Sequence, residues 1–257
     1  MKIVYIPETD STNSWLSEHG GEDDVAVWTG YQTAGRGAGT NRWESEAHKN
    51  LLFSVLVHPV GVPASRQFLL TEAMALSVKH TFDDYGIVPQ LSIKWPNDIY
   101  WRDRKLAGTL STCTLKGSHI RSCIIGTGVN INQQVFGSDL PNPVSLMQIT
   151  GMEHDVEQAL KGVLAVFGNY LNLMEQGGWD DIHAAYCGAL YRRQGFYRYC
   201  DGEGDFMAAI EGVEPDGRLL LRDDKGNVRR YGFKELMIKD KLRSEERRVG
   251  TEWRSRW

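Results

Sequence analysis

Between Leu91 and Ile131 lie four strand-like runs, Leu91–Trp95, Ile99–Trp101, Leu106–Leu115 and Ile120–Ile131, separated only by breaks of turn length. A parallel connection needs a crossover of a dozen or more residues, so runs this close can pair only as hairpins. Arg102–Arg104 and Lys116–Ser118 read as the hairpin turns. Helical patterns flank this block. From Ser65 to Tyr85, Phe68, Leu69, Ala73, Leu76 and Phe82 fall near one face, and Gly86 is a natural C′ residue. Asp155–Gln176 is a second long helix, with Asp155 as N-cap and Gly177-Gly178 as its stop, and a shorter helix follows over Trp179–Leu190. These elements predict an α+β fold, a mixed and mostly antiparallel sheet packed against helices.

Towards the N-terminus, Ile3–Ile6 and Val25–Thr29 read as strands, with a helix through Trp15 and Leu16 between them. Asp10-Ser11-Thr12-Asn13 supplies its candidate N-caps and Gly20-Gly21 its stop. Asn50–His58 is an apolar run of strand length ended by Pro59. From about Tyr191 the pattern changes to short strands (Phe196–Cys200, Phe206–Val213, Leu219–Arg222, Val228–Tyr231) separated by DGEG, EPDG and DDKGN. Turns recurring every ten or so residues predict a small all-β barrel. The expected organisation is a catalytic unit over 1–190, a barrel over 191–242 and a tail over 243–257. The tail has one aliphatic residue, Val249, and cannot bury a core. Its start, RSEERRVG, resembles translated adapter sequence, so the natural protein is expected to end near Lys241–Leu242.

Composition excludes several classes. No uncharged apolar run reaches the roughly 18 residues that span a bilayer, and the N-terminus is polar by its eighth residue. A cytoplasmic protein with no membrane partner is expected. The four cysteines form no C-x-x-C pair and the seven histidines no H-x-x-x-H spacing, so reduced thiols and no built-in metal site are expected. Net charge is −4, and the acidity sits in the body of the chain, because the last fifteen residues carry five Arg and three Glu. An acidic body argues against nucleic-acid binding, which rests on phosphate neutralisation.

Three stretches carry chemistry. Gln32–Trp43 (QTAGRGAGTNRW) sets glycines between cations and ends on an aromatic ring. Glycine backbone approaches a ligand closely, and successive N–H groups can cradle an anion. Arg36 adds a planar fork of donors suited to carboxylate or phosphate, and Trp43 can stack on a purine. The spacing fits neither the dinucleotide nor the mononucleotide phosphate loop. By itself a solvated surface loop fits equally well. Lys94-Trp95-Pro96-Asn97-Asp98 closes a strand, and a lysine held in a sheet is costly without an anion. A strand-end lysine reaching water is the plainer alternative. Gly126-Thr127-Gly128-Val129-Asn130-Ile131-Asn132 puts glycines in a strand, where they mark a bulge or a close ligand approach. Asn130 and Asn132 are expected to share a face and could read an amide or a base edge, or simply be satisfied amides.

Taken together, D-S-T-N (Asp10–Asn13), Q-T-A-G-R-G…W (Gln32–Trp43), K-W-P-N-D (Lys94–Asp98), R-K-L-A-G (Arg104–Gly108) and G-x-G-V-N-I-N (Gly126–Asn132) resemble, in that order, the motifs of the biotin protein ligases. The likeness runs from about Ile3 to Met237. It implies a class II synthetase-like fold of the biotin–lipoate ligase kind with an SH3-like C-terminal barrel. It also implies ATP-dependent ligation of biotin to a lysine of a biotin carboxyl carrier protein through biotinyl-5′-AMP. ATP with Mg²⁺ and biotin would be the small molecules, with no tightly bound metal. Relatives often pair sheets edge to edge, so a homodimer is compatible with the resemblance, although nothing in the sequence forces one.

The resemblance assigns Ser11, Thr12, Asn13, Gln32, Arg36, Gly37, Ala38 and Lys94 to biotin, and Gly35, Arg36, Gly37, Trp43 and Asn130 to the nucleotide. Lys94 and Arg36 would be catalytic, since a carboxylate and an α-phosphate about 4 Å apart repel by roughly 4 kcal/mol at an effective dielectric of about 20. Asp98 is a candidate base for acyl transfer. Many relatives carry a long basic or polar side chain where this chain has Ala38. The adenylate is therefore expected to be held less tightly, by about 1.5–3 kcal/mol for one charge-assisted bond. Ala38→Arg should slow adenylate release about tenfold in a filter or stopped-flow release assay, and an unchanged off-rate would refute this role. Some relatives carry an N-terminal DNA-binding domain. The first strand here begins at Ile3, so a ligase without repressor function is expected. The alternatives are a lipoate or octanoate ligase or transferase of the same fold, and a non-catalytic biotin-binding module.

Overall fold

The structure, a computed structural model, describes residues 1–37, 39, 41–83, 90–137 and 142–238. The chain divides into two units, Met1–Tyr191 and Arg192–Trp257. The expected C′ residue Gly86, the proposed end at Lys241–Leu242 and the tail lie outside the described residues.

The first unit is built on a seven-stranded sheet. Its strands are β1 (Lys2–Thr9), β2 (Val25–Gln32), β3 (Leu51–Val57), β4 (Leu91–Lys94), β5 (Asp98–Trp101), β6 (Arg104–Lys116) and β7 (His119–Val129), in the order β1-β2-β3-β7-β6-β5-β4. The hairpins expected between Leu91 and Ile131 form in full. Gly117, at φ 62°, turns β6 into β7. Only β1 and β2 run parallel, and the Asp10–Asp24 connection that joins them contains α1 (Thr12–His19), as a crossover requires.

Side-chain alternation gives the sheet two unlike faces. On the front, Leu16 of α1 packs against Val27 and Leu56. On the back lie α2 (Phe68–Asp83), α4 (Val156–Glu175) and α5 (Trp179–Gly188). Thr71 of α2 is hydrogen-bonded to Ser111 of β6 across this face at 2.7 Å. Covered on both sides, β3 is buried along its whole length, which explains its unbroken apolar run. The short helix α3 (Leu146–Thr150) escapes a periodicity reading because it is barely one turn. Its signal is local: Ser145 and Gln148 form a reciprocal capping box, and Gly151 ends the helix at φ 77°.

Glu72 of α2 is 1% exposed and is neutralised by His183 of α5 at 2.7 Å. Hydrogen bonds to Cys187 and to Glu72, working against burial, push His183 up to about 10. A raised histidine stabilises the fold fully below its unfolded value near 6.5 and loses that contribution as pH rises through about 10. The gap in urea midpoint between the wild type and His183→Gln should therefore be at its full size below about pH 6.5 and close towards pH 10. A gap independent of pH would rule out the ion pair as its source.

The second unit contains β8 (Tyr197–Asp201), β9 (Gly204–Val213), β10 (Leu219–Asp223), β11 (Val228–Tyr231) and β12 (Met237–Ile238), in the antiparallel order β11-β10-β9-β8-β12. Tyr199, Ala208, Leu219 and Leu221 form its core. Among the described residues, β11 and β12 are the edges of this sheet.

Candidate active site

The first motif sits at the start of α1, where Ser11 is the N-cap and is 2% exposed. Thr12 donates from its backbone N (2.8 Å) and its hydroxyl (3.1 Å) to Oε1 of Gln32. The same hydroxyl meets Ser54 Oγ at 2.6 Å, and Ser54 donates to Asn13 Oδ1 at 2.7 Å. A Cβ built on Gly126 of β7 would lie 2.4 Å from Asn13 Oδ1 and 2.6 Å from its Nδ2. Gly126 is therefore the floor beneath Asn13. Sequence reasoning missed Ser54, although a lone hydroxyl inside the apolar run NLLFSVLVH was the available signal.

The glycine-rich stretch folds back on itself. Trp43 N donates to Gly35 O (3.0 Å), Gly37 N donates to Asn41 O (2.9 Å), and Arg36 bridges Arg42 in antiparallel fashion. Gly35 has no room for a side chain, since its Cβ would lie 2.4 Å from Trp43 O. Trp43 then drops onto the front of β7, where the Cβ of an alanine at 128 would fall 2.3 Å from the indole Cε2. Its Nε1 is buried with no partner among the described residues. The Lys105 ammonium lies 5.6 Å from the indole centroid. Arg36 is exposed. Ala38 and Thr40 lie outside the described residues.

Lys94 ends β4 opposite Asp98. Its Nζ donates to Tyr100 Oη at 3.1 Å and sits 4.7 Å above that ring. The K-W-P-N-D turn is clamped from two sides. Tyr186 of α5 donates to Pro96 O at 2.7 Å, and the Asn97 side chain and backbone bond the Thr109 backbone of β6. Asp98 pairs with Lys105 at 2.7 Å, with Gly108 packed against both. A carboxylate held by a lysine is a poor free base, which weakens the role considered for Asp98 in acyl transfer.

The two asparagines after β7 part company. The strand ends at Val129, so alternation does not carry through to Asn132, and the expectation of a shared face is corrected. Asn132 is spent on its neighbour, donating from Nδ2 to His154 O (2.7 Å) and accepting His154 N at Oδ1 (2.9 Å). Asn130 donates from Nδ2 to Val144 O (3.1 Å) and Lys105 O (3.4 Å), which leaves Oδ1 as the atom able to meet a ligand.

One set of contacts thus links the motifs across the front face. Asn13 stands on Gly126, Trp43 lies on Gly128, Lys105 faces Trp43 and pairs Asp98, and Asp98 lies opposite Lys94. Gln32 joins α1 to the glycine-rich stretch. Within this set Lys94, Lys105 and Arg36 are cationic and Asp98 is anionic, a balance suited to an anionic ligand. Among the described residues no group of three or more His, Cys, Asp or Glu is placed to hold a metal ion. No helix among them is long and apolar enough to cross a membrane.

Residues 5–130 match the model of the biotin/lipoate A/B protein ligase family. Over 238 residues the chain is 28% identical to the bifunctional ligase/repressor BirA of Bacillus spizizenii, covering 88% of this chain and 70% of that protein. It is 31% identical over 154 residues to the biotin–[acetyl-CoA-carboxylase] ligase of Mycobacterium tuberculosis, covering 58% of this chain and 56% of that one. The fold superposes on the biotin protein ligase from Aquifex aeolicus in complex with biotin and ATP with a TM-score of 0.77 at 24% identity, covering 93% and 98% of the two chains.

Proposed function

We propose that this chain, which belongs to the biotin/lipoate A/B protein ligase family, joins biotin to a lysine of a carrier protein at the expense of ATP. The biotin carboxylate attacks the α-phosphorus of ATP, giving biotinyl-5′-AMP and pyrophosphate. The neutral amine of the carrier lysine then attacks the acyl carbon, and AMP leaves. The observation that carries this reading is the linkage, on one sheet face, of a polar cage at α1, a cation anchored at Lys94 and an indole laid on a glycine strand.

The cage suits the ureido ring of biotin, which offers two N–H donors and one carbonyl acceptor. We assign Ser11, Thr12, Asn13 and Gln32 to it, with Ser54 holding Thr12 and Asn13 in place. Lys94 would sit between carboxylate and phosphate, where two anions meet and negative charge shifts towards the leaving pyrophosphate. Arg36, with the backbone of Gly35 and Gly37, would hold the phosphate side, and Trp43 the adenine, with Asn130 Oδ1 beside it. The first step needs no base, because its nucleophile is already ionised. Mg²⁺ enters with ATP as the metal–nucleotide substrate and offsets the triphosphate charge. The Arg192–Ile238 sheet is read as the family's SH3-like barrel. The acceptor is read as a biotin carboxyl carrier protein and the reaction as cytoplasmic.

Biotin-dependent pyrophosphate–ATP exchange tests the reading. Exchange driven by biotin and not by lipoate or octanoate is expected. Preference for a fatty acid, or no exchange, would overturn it. Ser54→Ala should leave Thr12 and Asn13 short of a partner, at about 1–3 kcal/mol for a buried unmet group. Biotin affinity by calorimetry should fall about tenfold while the KM for ATP stays within about twofold.

A further inference from the structure

Cys113 and Cys123 face each other across β6 and β7, and the proposed reaction uses neither. Asn130 N donates to Leu106 O, so the hydrogen-bonded positions on β6 are the even ones, and the odd ones are the close, non-hydrogen-bonded ones. Thr109 and Thr127 occupy such a position, with their hydroxyls 3.2 Å apart. Cys113–Cys123 is the same kind of position, on the same back face, and the only register shift between the two strands comes later, at Thr114/Leu115. Directly opposed residues of this kind have Cα atoms about 4.5 Å apart, inside the span of about 4.4–6.8 Å that a disulfide bridges.

The two thiols are unequal. Cys113 is partly exposed, whereas Cys123 is 1% exposed. The Cys123 thiol donates to the Cys113 sulfur, which draws Cys113 below the ordinary thiol range and, with burial, pushes Cys123 up. The reachable sulfur is thus also the more readily ionised one, and the buried sulfur waits beside it. Cys187 on α5 and Cys200 on β8 have no cysteine opposite them in a strand ladder among the described residues.

We propose that Cys113 and Cys123 form a reversible dithiol–disulfide site that takes low-molecular-weight disulfides as its oxidant. The Cys113 thiolate attacks one sulfur of the small disulfide, forms a mixed disulfide and expels a thiolate. Cys123 then attacks Cys113 Sγ, gives up its proton and expels the second small thiol. Two protein thiols are oxidised, and one small disulfide is reduced to two thiols. The new bond staples β6 to β7 on the face opposite Gly126 and Gly128, so it acts on the stability of the sheet rather than on the front face.

The full chain is equilibrated in glutathione buffers of graded oxidised-to-reduced ratio, quenched in acid, alkylated, cut with trypsin and weighed. Cleavage after Lys116 and Arg121 separates the two cysteines. The expected product is a Leu106–Lys116 peptide linked to the peptide that begins at Ser122, appearing in oxidising buffer and lost in excess reduced glutathione. The linked form should melt roughly 5 °C higher. Cys123→Ser should stop at a glutathione adduct on Cys113, although mapping the wild type alone decides the matter. The proposal falls if both cysteines stay alkylated at every ratio, if Cys113 stops at the adduct with Cys123 alkylated, or if either is linked to Cys187 or Cys200.

Discussion

Lys94→Ala should lower the rate of biotin-dependent pyrophosphate–ATP exchange by roughly 10²–10³-fold, the usual cost of losing one preorganised donor aimed at developing charge. Biotin binding should weaken far less, by about tenfold or less, because the ammonium acts most strongly where carboxylate and phosphate are brought together. Its position is set by contacts within the protein. Tyr100 Oη accepts from Nζ at 3.1 Å, the Tyr100 ring lies beneath it at 4.7 Å, and the turn that follows is tied down by Tyr186 and Thr109. Tyr100→Phe keeps the ring and removes the acceptor, so exchange should drop only about fivefold to tenfold, in line with about 1 kcal/mol for one hydrogen bond. Exchange rates and calorimetric biotin titrations on the same samples separate the two effects. Equal losses in exchange and in biotin affinity for Lys94→Ala would refute the catalytic role.

Much of this arrangement is legible in the chain. Breaks too short for crossovers force the β4–β7 hairpins, and Asp155 and Gly177 bracket α4. What sequence cannot supply is the partner across the sheet. Nothing near Ser54 in the chain indicates that it bridges Thr12 and Asn13, because those residues lie about forty positions away. The same limit misled the reading of Asn132. Strand periodicity predicts which face it takes only while the strand continues, and β7 stops at Val129, where Asn130 turns to the backbone of Lys105 and Val144. The glycines show the reverse. As letters they mark a close approach without saying to what, and only the folded chain gives Gly126 to Asn13 and Gly128 to Trp43.

Those two glycines permit a sharp test, because they point the same way from one strand yet carry different residues. An alanine at 128 would put its Cβ 2.3–2.7 Å from three atoms of the Trp43 indole, and a rigid ring cannot bend around it. The indole must leave its bed, at the 1–3 kcal/mol typical of overpacking. Gly128→Ala should therefore raise the KM for ATP between about fivefold and a hundredfold, with the KM for biotin little changed. An alanine at 126 would instead meet the Asn13 amide at 2.4–2.7 Å and should raise the KM for biotin while sparing ATP. Trimming the obstructing ring should restore part of the loss, so Gly128→Ala with Trp43→Phe should bind ATP better than Gly128→Ala alone. Steady-state exchange kinetics with each substrate varied in turn reads all three variants, and a cooperative urea transition with a wild-type m-value shows that each is folded. If both alanines raised the same KM, the division of the front face into a biotin end and a nucleotide end would be wrong, whatever the family's chemistry.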